Sequence, residues 1–171
     1  MIQRLDPREL TRMQAQAEIE GRQCVVGAVI INEQRRAFVQ KRAADRRLFP
    51  GCWDVIGGHV EAGETLEVAL SREIREETGW ELKTIMQVIS IFDWEDAREG
   101  KLREVDFLVQ IMGNLEQPQL EWSKVTEFRW LGLHELDILQ ESRRPEDTFI
   151  YNIVKKALEE NEKRLQLDAL E

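Results

Sequence analysis

Glu73, Glu76 and Glu77 are the residues whose type and spacing most directly indicate chemistry. Side chains three and four positions apart lie on one face of a helix, so the three carboxylates would cluster there. Carboxylate oxygens are the ligands that hard divalent cations prefer. The spacing is therefore compatible with a site for a divalent cation on a single helix face.

The same arrangement is unfavourable for a helix that only supports the fold. Glu73 and Glu77 are like charges at i and i+4, which costs about 0.2–0.5 kcal/mol. Anions near a helix C-terminus oppose the helix dipole by roughly 0.3–1 kcal/mol each. A bound cation would remove the conflict. The alternative is a solvated charged face, on which Arg72 pairs with Glu76.

A helix from about Thr65 to Thr78 must position these carboxylates. Apolar residues recur along it at i, i+4 and i+8 (Leu66, Leu70 and Ile74), which predicts a stripe facing the core. The helix is expected to stop at Gly79, since glycine is favoured just beyond a helix end.

The rest of the chain indicates strands before and after this helix. Predicted strands cover residues 24–31, 37–42, 53–56, 82–94, 102–112 and 128–131, with a loop bracketed by Gly57-Gly58 and Gly63. Helices are expected near residues 133–140 and 147–170, and Asp6-Pro7 is a typical helix start. This order predicts an α/β fold with a mixed sheet flanked by helices.

The segment GHVEAGETLEVALSREIREETGW, which begins at Gly58, resembles the Nudix box. The residues that match the motif are Gly58, Glu64, Arg72, Glu73, Ile74, Glu76, Glu77 and Gly79. Trp80 departs from it, because an aliphatic residue is usual there. The resemblance extends over residues 24–140. It implies a Nudix-like α/β/α sandwich with a central mixed β-sheet, as one domain over residues 1–171 with an N-terminal extension (1–21) and a C-terminal helix (141–171).

The resemblance also implies roles for individual residues. Glu73, Glu76 and Glu77 would bind the metal, with the Gly58 carbonyl as a further ligand. Arg72 would orient a metal-binding glutamate. The residues that would support the loop and its backbone shape are Glu64, Gly58, Gly63 and Gly79. The general base varies within this family, and the alternatives here are Glu76, Glu77, Glu121 and Glu127.

Substrate contacts are expected from residues near the box. Lys41 and Arg42 would hold phosphate, or be solvated cations at the end of a strand. His59 would contact metal or phosphate. Trp53 and Trp94 would stack on a base, or fill the core as most tryptophans do.

The activity that the resemblance implies is Mg²⁺-dependent hydrolysis of a pyrophosphate bond. The expected substrate is small and phosphorylated: a nucleoside diphosphate linked to another group, or a (deoxy)nucleoside triphosphate. One alternative is a protein like isopentenyl-diphosphate isomerase, but that reaction needs a cysteine at the position of Gly57. The other is a non-catalytic nucleotide-binding module.

Composition restricts the partners. A net charge of −9 over 171 residues argues against a nucleic acid polymer as partner. No apolar run is long enough for a membrane span. The two cysteines and a start without a signal-peptide pattern favour the cytoplasm. A homodimer stays open.

Overall fold

The computed structural model describes residues 4–170. The first three residues of the predicted N-terminal extension lie outside this range, and so does the expectation about targeting that rests on them. Glu171 of the C-terminal segment also lies outside it. The helices are α1 (Pro7–Ile19), α2 (Leu66–Thr78) and α3 (Phe149–Asp168), with a 3₁₀ helix at Leu136–Gln140. The strands are β1 (Gln23–Ile30), β2 (Ala37–Arg42), β3 (Trp53–Asp54), β4 (Ile56–His59), β5 (Glu81–Asp96), β6 (Gly100–Met112) and β7 (Val125–Leu131).

The strands form two sheets. A four-stranded sheet has the order β4-β1-β6-β5, and a three-stranded sheet has the order β3-β2-β7. The pair β1 and β6 is parallel, whereas β1 pairs with β4 and β5 with β6 in antiparallel fashion. The α/β prediction with a mixed sheet is therefore confirmed.

One predicted boundary is wrong. The expected strand over residues 53–56 is two short strands, and Gly57 and Gly58 belong to β4 rather than to a loop. Gly57 lies opposite Gly27 of β1. A Cβ atom on Gly57 would lie 2.3 Å from the Val26 carbonyl oxygen, so this close strand pairing requires glycine.

Two hydrophobic cores lie in different parts of the molecule. One contains residues of α1, α2 and the inner face of β1, including Leu70, Ile74 and Val26. The other contains residues of α3, the 3₁₀ helix and β3, including Val154, Leu139 and Trp53. Packing of helices against both cores stabilises the sheets that carry the site.

The N-terminal helix is a packed arm. The Asp6 side chain caps α1 by accepting from the Arg8 amide, as the Asp6-Pro7 pair predicts. Leu10 and Ala17 are buried against the first core. The Gln14 side chain donates to the Glu64 carbonyl oxygen at 2.8 Å and accepts from the Leu66 amide at 3.2 Å. The helix α1 therefore braces the loop that leads into α2.

The helix α2 begins and ends where its sequence predicts. Thr65 caps the first turn through a hydrogen bond from the Val68 amide, and Gly79 ends the helix in the left-handed conformation, at φ 75°. Leu66, Leu70 and Ile74 are at most 1% exposed. Burial of this stripe fixes the direction in which the opposite, acidic face points.

The described residues contain no helix that is both long enough and apolar enough to cross a membrane.

Candidate active site

A cleft of about 570 Å³ opens between α2, β4 and the loop that joins β2 to β3. Its wall carries charges of both signs. The acidic residues are Asp45, Asp54, Glu61, Glu73, Glu76, Glu77, Glu99, Glu104 and Glu121. The basic residues are Arg42, Arg46, Arg47, Arg72 and Lys124. All three glutamates of the predicted metal site therefore face one cavity.

Arg72 fixes the arrangement of this acidic face. Its guanidinium group donates to both carboxylate oxygens of Glu64, at 2.8 and 2.9 Å, and to Glu73 at 2.6 Å. It also donates to the His59 carbonyl oxygen at 2.9 Å and to Glu76 at 3.4 Å. Because a guanidinium group is a rigid planar donor, these bonds hold α2 in register with the loop after β4. The ion pair lowers the pKa of Glu64.

Glu73 is accommodated by Gly58. A Cβ atom at position 58 would lie 2.2 Å from Oε1 of Glu73, well inside any permitted contact. A side chain at position 58 would therefore displace the Glu73 carboxylate from the position in which Arg72 holds it. Burial raises the pKa of Glu73, while the hydrogen bond from Arg72 opposes that shift.

Glu77 is the most deeply placed of the three glutamates. Its Oε2 accepts a hydrogen bond from the Gln40 amide at 2.7 Å. Burial raises the pKa of Glu77 well above its ordinary value, and the negative charges of Glu73 and Asp54 raise it further. Negative charge is thus concentrated in a place where water solvates it poorly.

The residues fit a hard divalent cation by donor type and by excess negative charge. Within residues 4–170, however, no three Asp, Glu, His or Cys side chains are grouped so that they could coordinate one ion as they stand. Glu73 points to Arg72 and Glu77 to Gln40, while the Glu76 side chain is half exposed. Binding by all three carboxylates would therefore require side-chain rotation.

Three residues expected to contact substrate line the cleft: Arg42, His59 and Trp94. Arg42 donates to the Leu48 carbonyl oxygen and lies 3.6 Å from Asp54. The imidazole Nε2 of His59 lies 3.5 Å from Glu99, at the tip of the β5–β6 hairpin.

Three other residues lie elsewhere. Trp53 has no exposed surface and its ring fills the second core, which agrees with the second of its two interpretations and leaves no face for stacking on a base. Lys41 lies over that ring and 3.8 Å from Glu141, outside the cleft lining. Glu127, a predicted alternative base, pairs with Arg129 at 2.8 Å and does not line the cleft.

Sequence reasoning did not identify Gln40 and Asp54, which contact the site from β2 and β3. The composition of β2 was a usable signal, because a polar residue directly follows three apolar residues that are buried in the strand. Gln40 is only 5% exposed. Nothing in the local sequence indicates that its amide meets a glutamate 37 positions away.

Comparison with known proteins agrees with this geometry. The family model of the NUDIX domain matches residues 21–153. The chain is 47% identical over 62 residues to the nucleoside triphosphatase NudI of Enterobacter sp. (strain 638), which is 36% of this chain and 44% of that protein. It is 44% identical over 62 residues to an uncharacterised Nudix hydrolase of Nostoc sp., over 36% of this chain and 37% of the relative. Each match thus spans less than half the length of the curated relative.

Solved structures extend the similarity to the whole domain. The MutT Nudix hydrolase of Burkholderia pseudomallei superposes with a TM-score of 0.62 at 25% identity, over 78% of this chain and 96% of that one. A MutT structure from work on Aliivibrio salmonicida and Vibrio cholerae gives a TM-score of 0.60 at 29% identity, over 81% and 98% of the two chains. On the family match and the box geometry together, the chain belongs to the Nudix hydrolase family.

Proposed function

We propose that this protein hydrolyses a pyrophosphate bond in a nucleoside triphosphate or a nucleoside diphosphate linked to another group, with Mg²⁺ (or Mn²⁺) as cofactor. The observation that carries the proposal is the Arg72 network. Arg72 ties Glu64, Glu73 and Glu76 to the loop after β4, on the wall of a cleft of about 570 Å³. A cavity of this size matches those that bind small molecules.

Glu73, Glu76 and Glu77 would hold the cation, with the Gly58 carbonyl beside them. A bound divalent cation supplies neutralisation of phosphate charge and a lower pKa for bound water. Arg72 keeps Glu73 oriented by a charge-assisted hydrogen bond, and Gln40 does the same for Glu77.

We assign the general base to Glu121 in preference to Glu127. Glu121 lines the cleft, and its Oε2 pairs with Lys124 at 2.9 Å. Its Oε1 is buried and has no hydrogen-bond partner among the described residues. That oxygen has no competing donor and would accept a proton from an attacking water molecule once the side chain turns it toward the cleft, whereas Glu127 is paired outside the cleft.

Positive charge for the phosphates comes from the loop after β2 and from the segment before β7. Arg42, Arg46 and Lys124 all line the cleft. They offset the acidic wall, so a polyphosphate chain can approach it despite the net charge of −9.

The relatives support the substrate class. NudI is named a nucleoside triphosphatase, and the match to it spans 62 residues. Nothing favours the isomerase alternative. The position before Gly58 is Gly57, and Cys52 is buried with its thiol directed to the Pro50 and Ser142 carbonyl oxygens.

The test compares Glu77→Gln with Glu67→Gln, a change on an exposed part of the same helix. Purified proteins are incubated with nucleoside triphosphates and nucleotide sugars, with and without Mg²⁺, and release of phosphate or pyrophosphate is measured. We expect Mg²⁺-dependent turnover by the wild type and by Glu67→Gln, and at least a hundredfold loss for Glu77→Gln. Equal turnover by both variants, or none by the wild type on any diphosphate, would refute the proposal.

A further inference from the structure

A second cavity of about 150 Å³ opens beside the cleft. We refer to it as the side pocket. Phe49, Asp54, Trp94 and Glu104 line both cavities. The side pocket is therefore adjacent to the part of the cleft in which the phosphates would lie against α2.

Four of the nine residues that line the side pocket are aromatic. Phe92 of β5 and Phe149 at the start of α3 lie with their ring centroids 4.4 Å apart. Phe49 and Trp94 meet edge to face, with centroids 6.0 Å apart. An aromatic wall of this kind favours a flat ring as occupant, since a flat ring can stack on it or meet it edge to face.

Phe49 is held in an unusual conformation at the boundary of the two cavities. Its φ is +50°, a region that bulky residues rarely adopt. The Arg143 guanidinium group lies 5.4 Å from the centre of the Phe49 ring. Trp94 packs against the same ring edge to face. The surrounding residues therefore keep this ring at the entrance against the backbone preference.

A buried hydrogen-bond donor also borders the side pocket. The Arg143 side chain is only 3% exposed. Its terminal nitrogens donate to Asp147 and to the Trp53 carbonyl oxygen, both at 2.8 Å. Its Nε is buried and has no hydrogen-bond partner among residues 4–170. A buried donor without a partner is unfavourable, and a ligand that carries an acceptor would relieve this.

The geometry points to the side pocket as the subsite for the nitrogen heterocycle of a nucleotide. This inference rests on the proposed function, because it takes the phosphates to lie in the cleft. A nucleobase combines a flat face for the aromatic walls with carbonyl or ring-nitrogen acceptors for Arg143. An isoprenoid tail offers no acceptor, and a sugar ring offers no flat face. The carboxyl groups of Asp54 and Glu104 also line this pocket and carry acceptor oxygens for the donors of a base.

The test removes one ring from the wall. Phe92 is 42% exposed, so Phe92→Ala is expected to fold, and Phe92→Leu keeps apolar volume while it removes the flat face. The matched control is Ile91→Ala, which changes the neighbouring residue of the same strand, 53% exposed and outside the side pocket. The kcat/KM values are measured on a nucleoside triphosphate and on inorganic tripolyphosphate, which has no ring.

We expect both Phe92 variants to lose about tenfold or more in kcat/KM on the nucleotide, and to keep their value on tripolyphosphate. Ile91→Ala should match the wild type on both. An equal loss on both substrates, or no loss on the nucleotide, would overturn the subsite. So would tighter competition by isopentenyl diphosphate than by the nucleotide.

Binding separates this inference from the proposed function. Saturation-transfer NMR with nucleosides that lack phosphate needs neither metal nor turnover. The subsite would be supported if the base protons show a saturation-transfer signal with the wild type and with Ile91→Ala but not with Phe92→Ala. This holds even if no hydrolysis is found. The subsite alone would be refuted by two results together. No nucleoside shows saturation transfer from the protein, and Phe92→Ala, Phe92→Leu and Ile91→Ala all hydrolyse the triphosphates as efficiently as the wild type.

Discussion

Gly58→Ala tests the close packing between β4 and the acidic face of α2. The added Cβ would lie 2.2 Å from Oε1 of Glu73, whereas a carbon and an oxygen normally stay about 3.3 Å apart. The Glu73 carboxylate must therefore move by about 1 Å or turn away from Arg72. Misplacement of a reacting group by about 1 Å can cost on the order of a hundredfold in rate.

The assay is steady-state hydrolysis of a nucleoside triphosphate as Mg²⁺ is varied, with thermal unfolding measured alongside. We expect kcat to fall about a hundredfold and the Mg²⁺ requirement to rise, while the protein stays folded. The control is Gly132→Ala, where the new Cβ would lie 3.3 Å from the end of the flexible Glu135 side chain. A folded Gly58→Ala protein with wild-type kcat and wild-type Mg²⁺ dependence would refute the reasoning.

Three further predictions follow from the described contacts. Arg72→Lys removes the two-pronged bond to Glu64, and we expect the apparent Mg²⁺ affinity to fall about 10- to 100-fold in activity titrations; an unchanged affinity would contradict the orienting role. Glu121→Gln should lower kcat about 10²- to 10⁴-fold with little change in KM, whereas Glu127→Gln should leave both unchanged, and the reverse order would exchange their roles. Burial, with the nearby Asp54 charge, raises the pKa of Glu104 to about 7, so its ionisation destabilises the fold progressively from about pH 4.5 up to 7. Glu104→Gln should therefore raise the free energy of unfolding more at pH 8 than at pH 5, by up to about 3 kcal/mol, and the melting temperature should follow the same order. An equal effect at both pH values would count against this prediction.

Local sequence patterns were sufficient for the helix that carries the acidic face. The stripe of Leu66, Leu70 and Ile74 and the capping residues at each end act over one or two turns, so they can be read without knowledge of the fold. The family motif then gave the arrangement of Arg72 with its glutamates.

Contacts between distant segments were not accessible from the sequence. Gly57 and Gly58 were expected in a loop because glycine pairs usually break strands, but tight packing against β1 and Glu73 keeps them in β4. Both a stacking role and a core role were open for Trp53, because tryptophan suits both a binding site and a core and only the fold decides between them.

The side pocket depends on tertiary structure even more strongly. Its rings come from the loop after β2, from β5 and from the start of α3, and Arg143 comes from the segment before α3. No spacing rule joins these segments. Only the closure of the β5–β6 hairpin over the loop after β2, where Arg47 pairs with Asp96 and Glu99, brings them together.

Metal binding by the acidic face of α2 is the central claim, and titration of Mn²⁺ followed by electron paramagnetic resonance of the free ion tests it most directly. The titration uses the wild type, Glu77→Gln and the control Glu67→Gln, each with a non-hydrolysable nucleoside triphosphate. The account predicts at least one bound ion for the wild type and for Glu67→Gln, and an affinity at least tenfold weaker for Glu77→Gln. Equal binding by all three proteins, or no protein-dependent binding by the wild type, would contradict it.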